Sequence, residues 1–411
     1  MKTAIFDGKK AEQCRKDFPA LSRELNGEFL AYFDGPGGTQ VPQRVINAVS
    51  DYYARYNSNI HGMFVTTQET DEMLMKARTA LADFLGSPSW SCISFGANMT
   101  TLNFSLAHAI AKGLAPGDEV LITQLDHEAN RGPWLNLRQY GVVVEEVALL
   151  PSGELDYEDM QRKITPRTKA LAIGMSSNAL GTANDVATAR RLTKEVSALL
   201  ILDAVHYAPH YPIDVQALDA DFLLCSAYKF YGPHVGVLYS RPGVLEALAT
   251  DALSTQEPEA PYRIETGTLN HEGIAGTLAA VEYIESLGVG ETRRERIVSA
   301  MSAVADYEHA LAERYYDGVR RIPDVKVWGP DFSKHRTPTV SIALDGITPI
   351  DAAKKLGDLG LCTWDGDFYA ARAIEVLGLK ESGGVLRVGI SLYNTEAEVD
   401  RLLAAIENLM K

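Results

Sequence analysis

Cys225-Ser226-Ala227-Tyr228-Lys229-Phe230-Tyr231-Gly232-Pro233 is the stretch whose reading decides the fold. The apolar run Phe222-Leu223-Leu224 before it reads as a short buried strand, and Gly236-Val237-Leu238-Tyr239 after it as another. Lys229 therefore sits in a turn between two core strands. On its own such a lysine reads as a solvated loop residue. Its setting changes that reading, because Leu199-Leu200-Ile201-Leu202-Asp203-Ala204-Val205-His206 lies upstream, an apolar strand that ends in an acid and then a histidine. Burial lowers the pKa of an amine and makes it a nucleophile towards carbonyls. A strand-end carboxylate followed by a strand-turn lysine suits pyridoxal phosphate: the lysine forms a Schiff base with the aldehyde, and the carboxylate keeps the ring nitrogen protonated.

Working outward, strands and helices alternate. Ser91–Phe95, Glu119–Thr123, Val142–Val147 and Thr168–Gly174 read as strands. Helices are predicted over Pro42–Asn57, Thr70–Leu85 and Asp185–Val196, and a further helix opens after Gly96. This alternation predicts an α/β fold with a mostly parallel sheet and a site at the strand C-termini. His127, Asn178, Asp203 and Lys229 all fall there. Gly96-Ala97-Asn98-Met99 is a strand-to-helix turn, which gathers free N–H groups and the positive end of the helix dipole into an anion site; Asn98 is its N-cap. Tyr32-Phe33-Asp34-Gly35-Pro36-Gly37-Gly38 is a short strand and a glycine-rich loop that lets backbone approach a ligand.

Towards the C-terminus, a long helix over Arg293–Tyr316 leads to strands at Val325–Trp328, Thr339–Ala343, Leu361–Trp364 and Val385–Val388. Helices are predicted over Ile350–Gly360 and Thr395–Met410. Residues 1–30 are expected to pack on a smaller α+β domain at 291–411, with 31–290 forming the large domain. Arg387 lies inside an apolar strand, and its planar fork suits a carboxylate.

These motifs together resemble the class V aminotransferases, fold type I pyridoxal phosphate enzymes, and in particular the cysteine desulfurase and selenocysteine lyase branch. The resemblance rests on Asp203-Ala204-Val205-His206, on Ser226 to Pro233, and on Arg387 with Tyr393-Asn394-Thr395, and it runs from about residue 30 to the end. It implies a large cofactor domain with a mostly parallel sheet and a smaller C-terminal domain. His127 becomes the ring stacked on the pyridine and a proton carrier, and Asn178 the partner of the phenolic oxygen. His206 lies near the reacting carbon. Asn98, Met99, Ser226 and Tyr228 become phosphate ligands, with Met99 offering only its N–H. Thr268 reaches the phosphate of a neighbouring subunit, which implies a homodimer. On the substrate side the resemblance sets Arg387 on the α-carboxylate, with Gly37, His61 and Tyr369 nearby.

The chain departs from that branch in one place. Aligning Gly360 to Ala370 with the loop that carries the branch's catalytic cysteine puts Tyr369 at the cysteine position, with Cys362 in the strand before it. Trp364-Asp365-Gly366 replaces a basic position. Tyrosine forms no persulfide, so the expected chemistry is lyase-type cleavage of a C–S or other β-bond in an α-amino acid. Transamination or epimerisation on the same scaffold is the alternative, and a non-catalytic scaffold is the reading from another class.

Composition bounds the rest. The 411 residues are 46% apolar and 23% charged, the profile of a globular protein. A formal charge of −15 argues against nucleic acid and anionic membrane as partners. The four cysteines have no metal-site or disulfide spacing. With no signal-peptide core and no membrane-length apolar run, the expected compartment is the cytoplasm.

Overall fold

The computed structural model describes residues 4–411. The helix Gly8–Arg15 comes first, followed by three short strands: β1 (Glu24–Leu25), β2 (Glu28–Phe29) and β3 (Ala31–Tyr32). The central sheet follows, with β4 (Ile93–Gly96), β5 (Glu119–Thr123), β6 (Val143–Val147), β7 (Thr168–Gly174), β8 (Leu199–Asp203), β9 (Phe222–Ser226) and β10 (Gly236–Ser240) in the order β4-β10-β9-β8-β7-β5-β6. Strands β6, β5, β7, β8 and β9 are parallel, and β10 is antiparallel to both neighbours. Helices cover both faces, so the inner strands β8, β9 and β10 are buried runs, while β6 at the sheet edge alternates. Gly174 pairs with Asp203 and Asp203 with Leu224, which brings the ends of β7, β8 and β9 to one edge.

A second sheet takes β11 (Val325–Trp328), β12 (Thr339–Leu344), β14 (Trp364–Gly366) and β15 (Val385–Gly389) in the order β11-β12-β15-β14, all antiparallel. The single strand predicted over Leu361–Trp364 is two strands. β13 (Leu361–Cys362) pairs in parallel with β3, whereas β14 pairs with β15, and Thr363 turns the chain between them. Ala31 and Phe33 accordingly belong to the smaller core, with Leu361, Val388 and Ile390. The helix Arg293–Val319 joins the two cores: Ile297 and Ala300 pack in the larger, Leu311 and Tyr315 in the smaller. The N-terminal segment staples both. Arg15 pairs with Glu398 at 2.8 Å, while Phe18 packs edge-on against Tyr231 and Tyr283.

Helix boundaries follow local capping. Asn98 and Thr101 form a reciprocal capping box on the helix Met99–Ala111, and Thr395 with Glu398 does the same for Glu396–Leu409. The helix expected from Thr70 begins at Val65, and the one expected over Pro42–Asn57 is Gln43–Asp51 followed by a π turn over Tyr52–Tyr56. His271–Ser286 is a helix with no sequence forecast. It holds two glycines and is buried on nearly every side, so it shows no amphipathic stripe.

Arg78 and Glu265 form a buried bidentate pair at 2.7 Å and 2.7 Å, and Glu265 also accepts from Phe95 N–H. This pair anchors the segment leading to Thr268. Arg78→Leu leaves the Glu265 carboxylate buried and alone, and is expected to cost about 3–5 kcal/mol, read as a drop in the denaturant midpoint. A loss below about 1 kcal/mol would mean that the pair is solvated in the folded protein.

Candidate active site

The strand ends of β5, β7, β8 and β9 and the start of the helix Met99–Ala111 enclose an inner cavity. Lys229, Asp203, His206, His127 and Asn178 line it, as do Asn98, Met99, Ser226 and Tyr228. It opens into an outer vestibule of about 530 Å³, walled by Gly37, Trp364, Phe368, Tyr369 and Arg387. Residues predicted from separate segments thus meet in one place. Thr268 and His61 do not: both are exposed and line neither space in their own chain. His61 instead sits with its N–H 3.2 Å from Asp71.

Lys229 lies in a one-turn helix after β9. Its Nζ donates to the Pro36 carbonyl and to the Gly37 carbonyl, the latter at 3.1 Å, and stands 4.9 Å from the Tyr228 ring centre. Burial first, and then Arg387, pull the ammonium down to about 7. Asp203 ends β8. One of its oxygens accepts from Val205 N–H at 2.9 Å, and burial raises the acid to about 6. His127 follows β5, with Nδ1 accepting from Ala129 N–H at 3.0 Å, so the ring proton resides on Nε2. Burial, reinforced by Lys229 and Arg387, lowers it to about 4 and keeps it neutral at pH 7.

Arg387, in β15, is buried without a carboxylate among the described residues. It donates to Asn178 O at 3.0 Å and lies 4.0 Å over the Phe368 ring. Burial lowers it to about 9. Asn178 Nδ2 donates to Phe368 O at 2.9 Å, and its Oδ1 is buried without a partner. His206 Nε2 meets Thr337 and Thr339 hydroxyls at 3.0 and 3.1 Å, and its Nδ1 is likewise unpartnered. Met99 N–H donates to Ser226 Oγ at 3.0 Å. A Cβ on Gly236 would stand 2.4 Å from Asn98 C, so only glycine lets β10 run against this helix start.

Two carboxylates in this region went unread in the sequence. Asp126 lines the inner cavity, accepts from Gly174 N–H at 2.8 Å and from Asn130 at 3.2 Å, and is raised to about 7 by burial, with Asp203 adding to the rise. Asp34 is raised to about 6 by burial against the pull of Arg387 and Lys229, and its Oδ1 is unpartnered. Asp126 was findable as a second strand-end acid beside His127. Asp34 gave no signal beyond its place before the glycine loop.

The loop expected to carry a catalytic cysteine is pinned. Phe368 and Tyr369 stand at φ +55° and +59°, a conformation that costs about 1–2 kcal/mol per side-chain-bearing residue. Hydrogen bonds hold them: Glu128 N–H to Tyr369 O at 2.7 Å, Tyr369 N–H to Asp367 at 2.9 Å, and Asn178 to Phe368 O. Cys362 is half-buried on β13, its thiol pushed up to about 11 by burial, and no cysteine among the described residues lines either space.

The family model for aminotransferase class-V matches residues 31–402. The chain belongs to this family. Its relatives include a probable cysteine desulfurase of Streptomyces coelicolor, 32% identical over 97% of this chain and 96% of the relative, and a cysteine desulfurase of Klebsiella pneumoniae, 31% identical over 97% and 98%. Among solved structures, the apo cysteine desulfurase of Thermococcus onnurineus superposes with a TM-score of 0.88 at 28% identity, covering 97% of this chain and 98% of that one. A class V aminotransferase is a pyridoxal phosphate-dependent enzyme of fold type I. None of the described helices is long and apolar enough to cross a membrane.

Proposed function

We propose that the protein cleaves the carbon–sulfur bond of a cysteine-type α-amino acid by β-elimination, with pyridoxal 5'-phosphate held at Lys229. One observation carries the reading. A lysine brought down to about 7 faces a buried, unpaired arginine across a cavity that no cysteine lines among the described residues. The cavity also fits the cofactor: it presents unpartnered Asn178 Oδ1 and His206 Nδ1, the Asp203 carboxylate, and a helix N-terminus backed by Ser226. When bound, the cofactor supplies an aldehyde for Lys229 and a ring that withdraws electrons from Cα.

The chain's own groups then divide the work. Arg387 grips the α-carboxylate with the guanidinium face left free by its single protein hydrogen bond. Lys229, as free amine, takes the Cα proton. The pair from the Cα–H bond forms the Cα–Cβ double bond, and the Cβ–S pair leaves with sulfur as hydrosulfide, to which the neutral His127 donates a hydrogen bond from Nε2–H. The released 2-aminoacrylate tautomerises and takes up water to give pyruvate and ammonium. The balance needs no loop thiol and no oxidant. A second copy of the chain, with exposed Thr268 reaching across to the cofactor phosphate, belongs to the same proposal.

The test is a product balance by mass spectrometry after incubating the cofactor-loaded protein with cysteine. Pyruvate, ammonium and sulfide in equal amounts are expected. Alanine in place of pyruvate would overturn elimination and make Tyr369 or Cys362 answerable for sulfur removal.

A further inference from the structure

The vestibule outside the reacting lysine is built for more than cysteine. Cysteine's side chain is one methylene and a thiol, whereas about 530 Å³ stands open above Lys229, within the range that drug-sized ligands fill. Its walls carry three aromatic side chains, Trp364, Phe368 and Tyr369. Trp364 leaves 50% of its surface in solvent, and its Nε1 would stand 3.1 Å from a Cβ on Gly37, so the indole lies against bare backbone. That same Gly37 receives the Lys229 ammonium, which sets the indole one residue from the reacting amine. The Tyr369 ring centre is 5.6 Å from that of His127, and Tyr369 is 72% exposed although its backbone is fixed at both N–H and carbonyl. Phe368 lies under Arg387, where the substrate carboxylate is to sit. Large aromatic side chains held open on strained, hydrogen-bonded backbone are an unfilled contact surface.

We infer that Trp364 and the Phe368–Tyr369 turn form a slot for a flat, uncharged aromatic group on sulfur, so that the substrate is an aromatic thioether of cysteine. This rests on the elimination reading above and specifies its substrate. With the carboxylate on Arg387 and Cα at Lys229, the sulfur substituent projects outward between the Trp364 and Tyr369 rings, which offer offset-stacked or edge contacts. Glu128 lines the vestibule and Asp367 caps the turn, so an anionic substituent meets like charge. Cleavage follows the same balance: the Cβ–S bond breaks, the pair leaves with sulfur as thiolate, and the proton that Lys229 took from Cα makes the thiol, with pyruvate and ammonium as co-products.

Two carboxylates that lack the amine, and so bind without reacting, separate the slot from the chemistry. Calorimetry on the cofactor-loaded full chain compares 3-(benzylsulfanyl)propanoate with 3-(methylsulfanyl)propanoate. The benzyl compound is expected to bind at least tenfold tighter. The preference should shrink towards unity in Trp364→Ala and Tyr369→Ala and largely return in Trp364→Phe and Tyr369→Phe. Both positions are largely exposed, so folding is not at stake. Equal binding by the wild-type chain, or a preference that both alanine variants retain, overturns the slot. Products from S-benzylcysteine are scored separately. A binding preference without thiol release leaves the slot standing and removes the elimination reading; pyruvate without any preference does the reverse.

Discussion

Lys229→Ala is expected to lower turnover of any amino-acid substrate by at least about 10⁴-fold, because one side chain is both the nucleophile that holds the cofactor and the base at Cα. Intact-protein mass after borohydride treatment should show a cofactor adduct in the wild type and none in the variant. Turnover within tenfold of wild type would remove Lys229 from the mechanism. The pH dependence follows from the same burial. An ordinary lysine titrates near 10.5, so at neutral pH roughly one in three thousand is free base; at about 7, half is. Capture of the cofactor should therefore rise with pH, with its midpoint near 7, and fall about tenfold per unit below that. Asp203, at about 6, is anionic over the upper part of this range.

Linkage gives the apo-protein a signature of opposite sign at these two groups. Lys229 binds its proton more weakly folded than unfolded. Its destabilising effect is therefore full below about 7 and fades as pH rises towards 10.5. Asp203 binds its proton more tightly folded. Its favourable contribution is present below 3.8 and is lost as pH rises through about 6. Burial pushes both groups towards their neutral forms, which leaves Lys229 half free base and Asp203 mostly anionic at pH 7, and ligand charge pushes them back. This is a site whose cost falls on the empty protein.

The parts of this site that the sequence disclosed were the ones on buried parallel strands. Asp203 and Lys229 stood out because the runs Leu199–Leu202 and Phe222–Leu224 carry no polar alternation, so a charge at their ends had to be at an edge. His127, Asn178 and Arg387 were assigned by family motif, and the sheet order explains why those motifs converge. What stayed hidden depended on neighbours distant in sequence. Asp126 matters because β5 and β8 flank β7, which no local pattern states. The break at Thr363 depends on β3 offering an edge to β13. The helix His271–Ser286 packs so completely, with Gly276 against Val49 and Pro233, that its polarity carries no period. The left-handed pair Phe368 and Tyr369 is invisible for a different reason. Bulky residues predict against positive φ, and only the hydrogen bonds from Glu128, Asp367 and Asn178 make it tolerable.

Arg387 gives the other large effect, and it separates function from stability. Removing one partner of a buried, hydrogen-bonded charge pair costs about 2–5 kcal/mol, so Arg387→Leu should raise KM for an amino acid by between about 30-fold and a few thousand-fold. Arg387→Lys keeps the charge but not the fork, and should recover only part of that loss. Cysteamine, which has no carboxylate to grip, should bind wild type and Arg387→Leu alike; a parallel loss for both ligands would assign Arg387 a structural role. Stability should move the other way. In the free protein Arg387 is a buried cation with one backbone hydrogen bond, the Phe368 ring beside it and no carboxylate within ion-pair distance among the described residues, held down to about 9 by desolvation that the more distant Asp34 only partly offsets. Replacing such a charge with an apolar side chain of similar volume is neutral or stabilising. The apo Arg387→Leu protein should therefore melt at or above the wild-type temperature while losing its substrate. That inversion is the mark of a residue kept for what it binds, because a structural arginine would have carried its own carboxylate, as Arg78 carries Glu265.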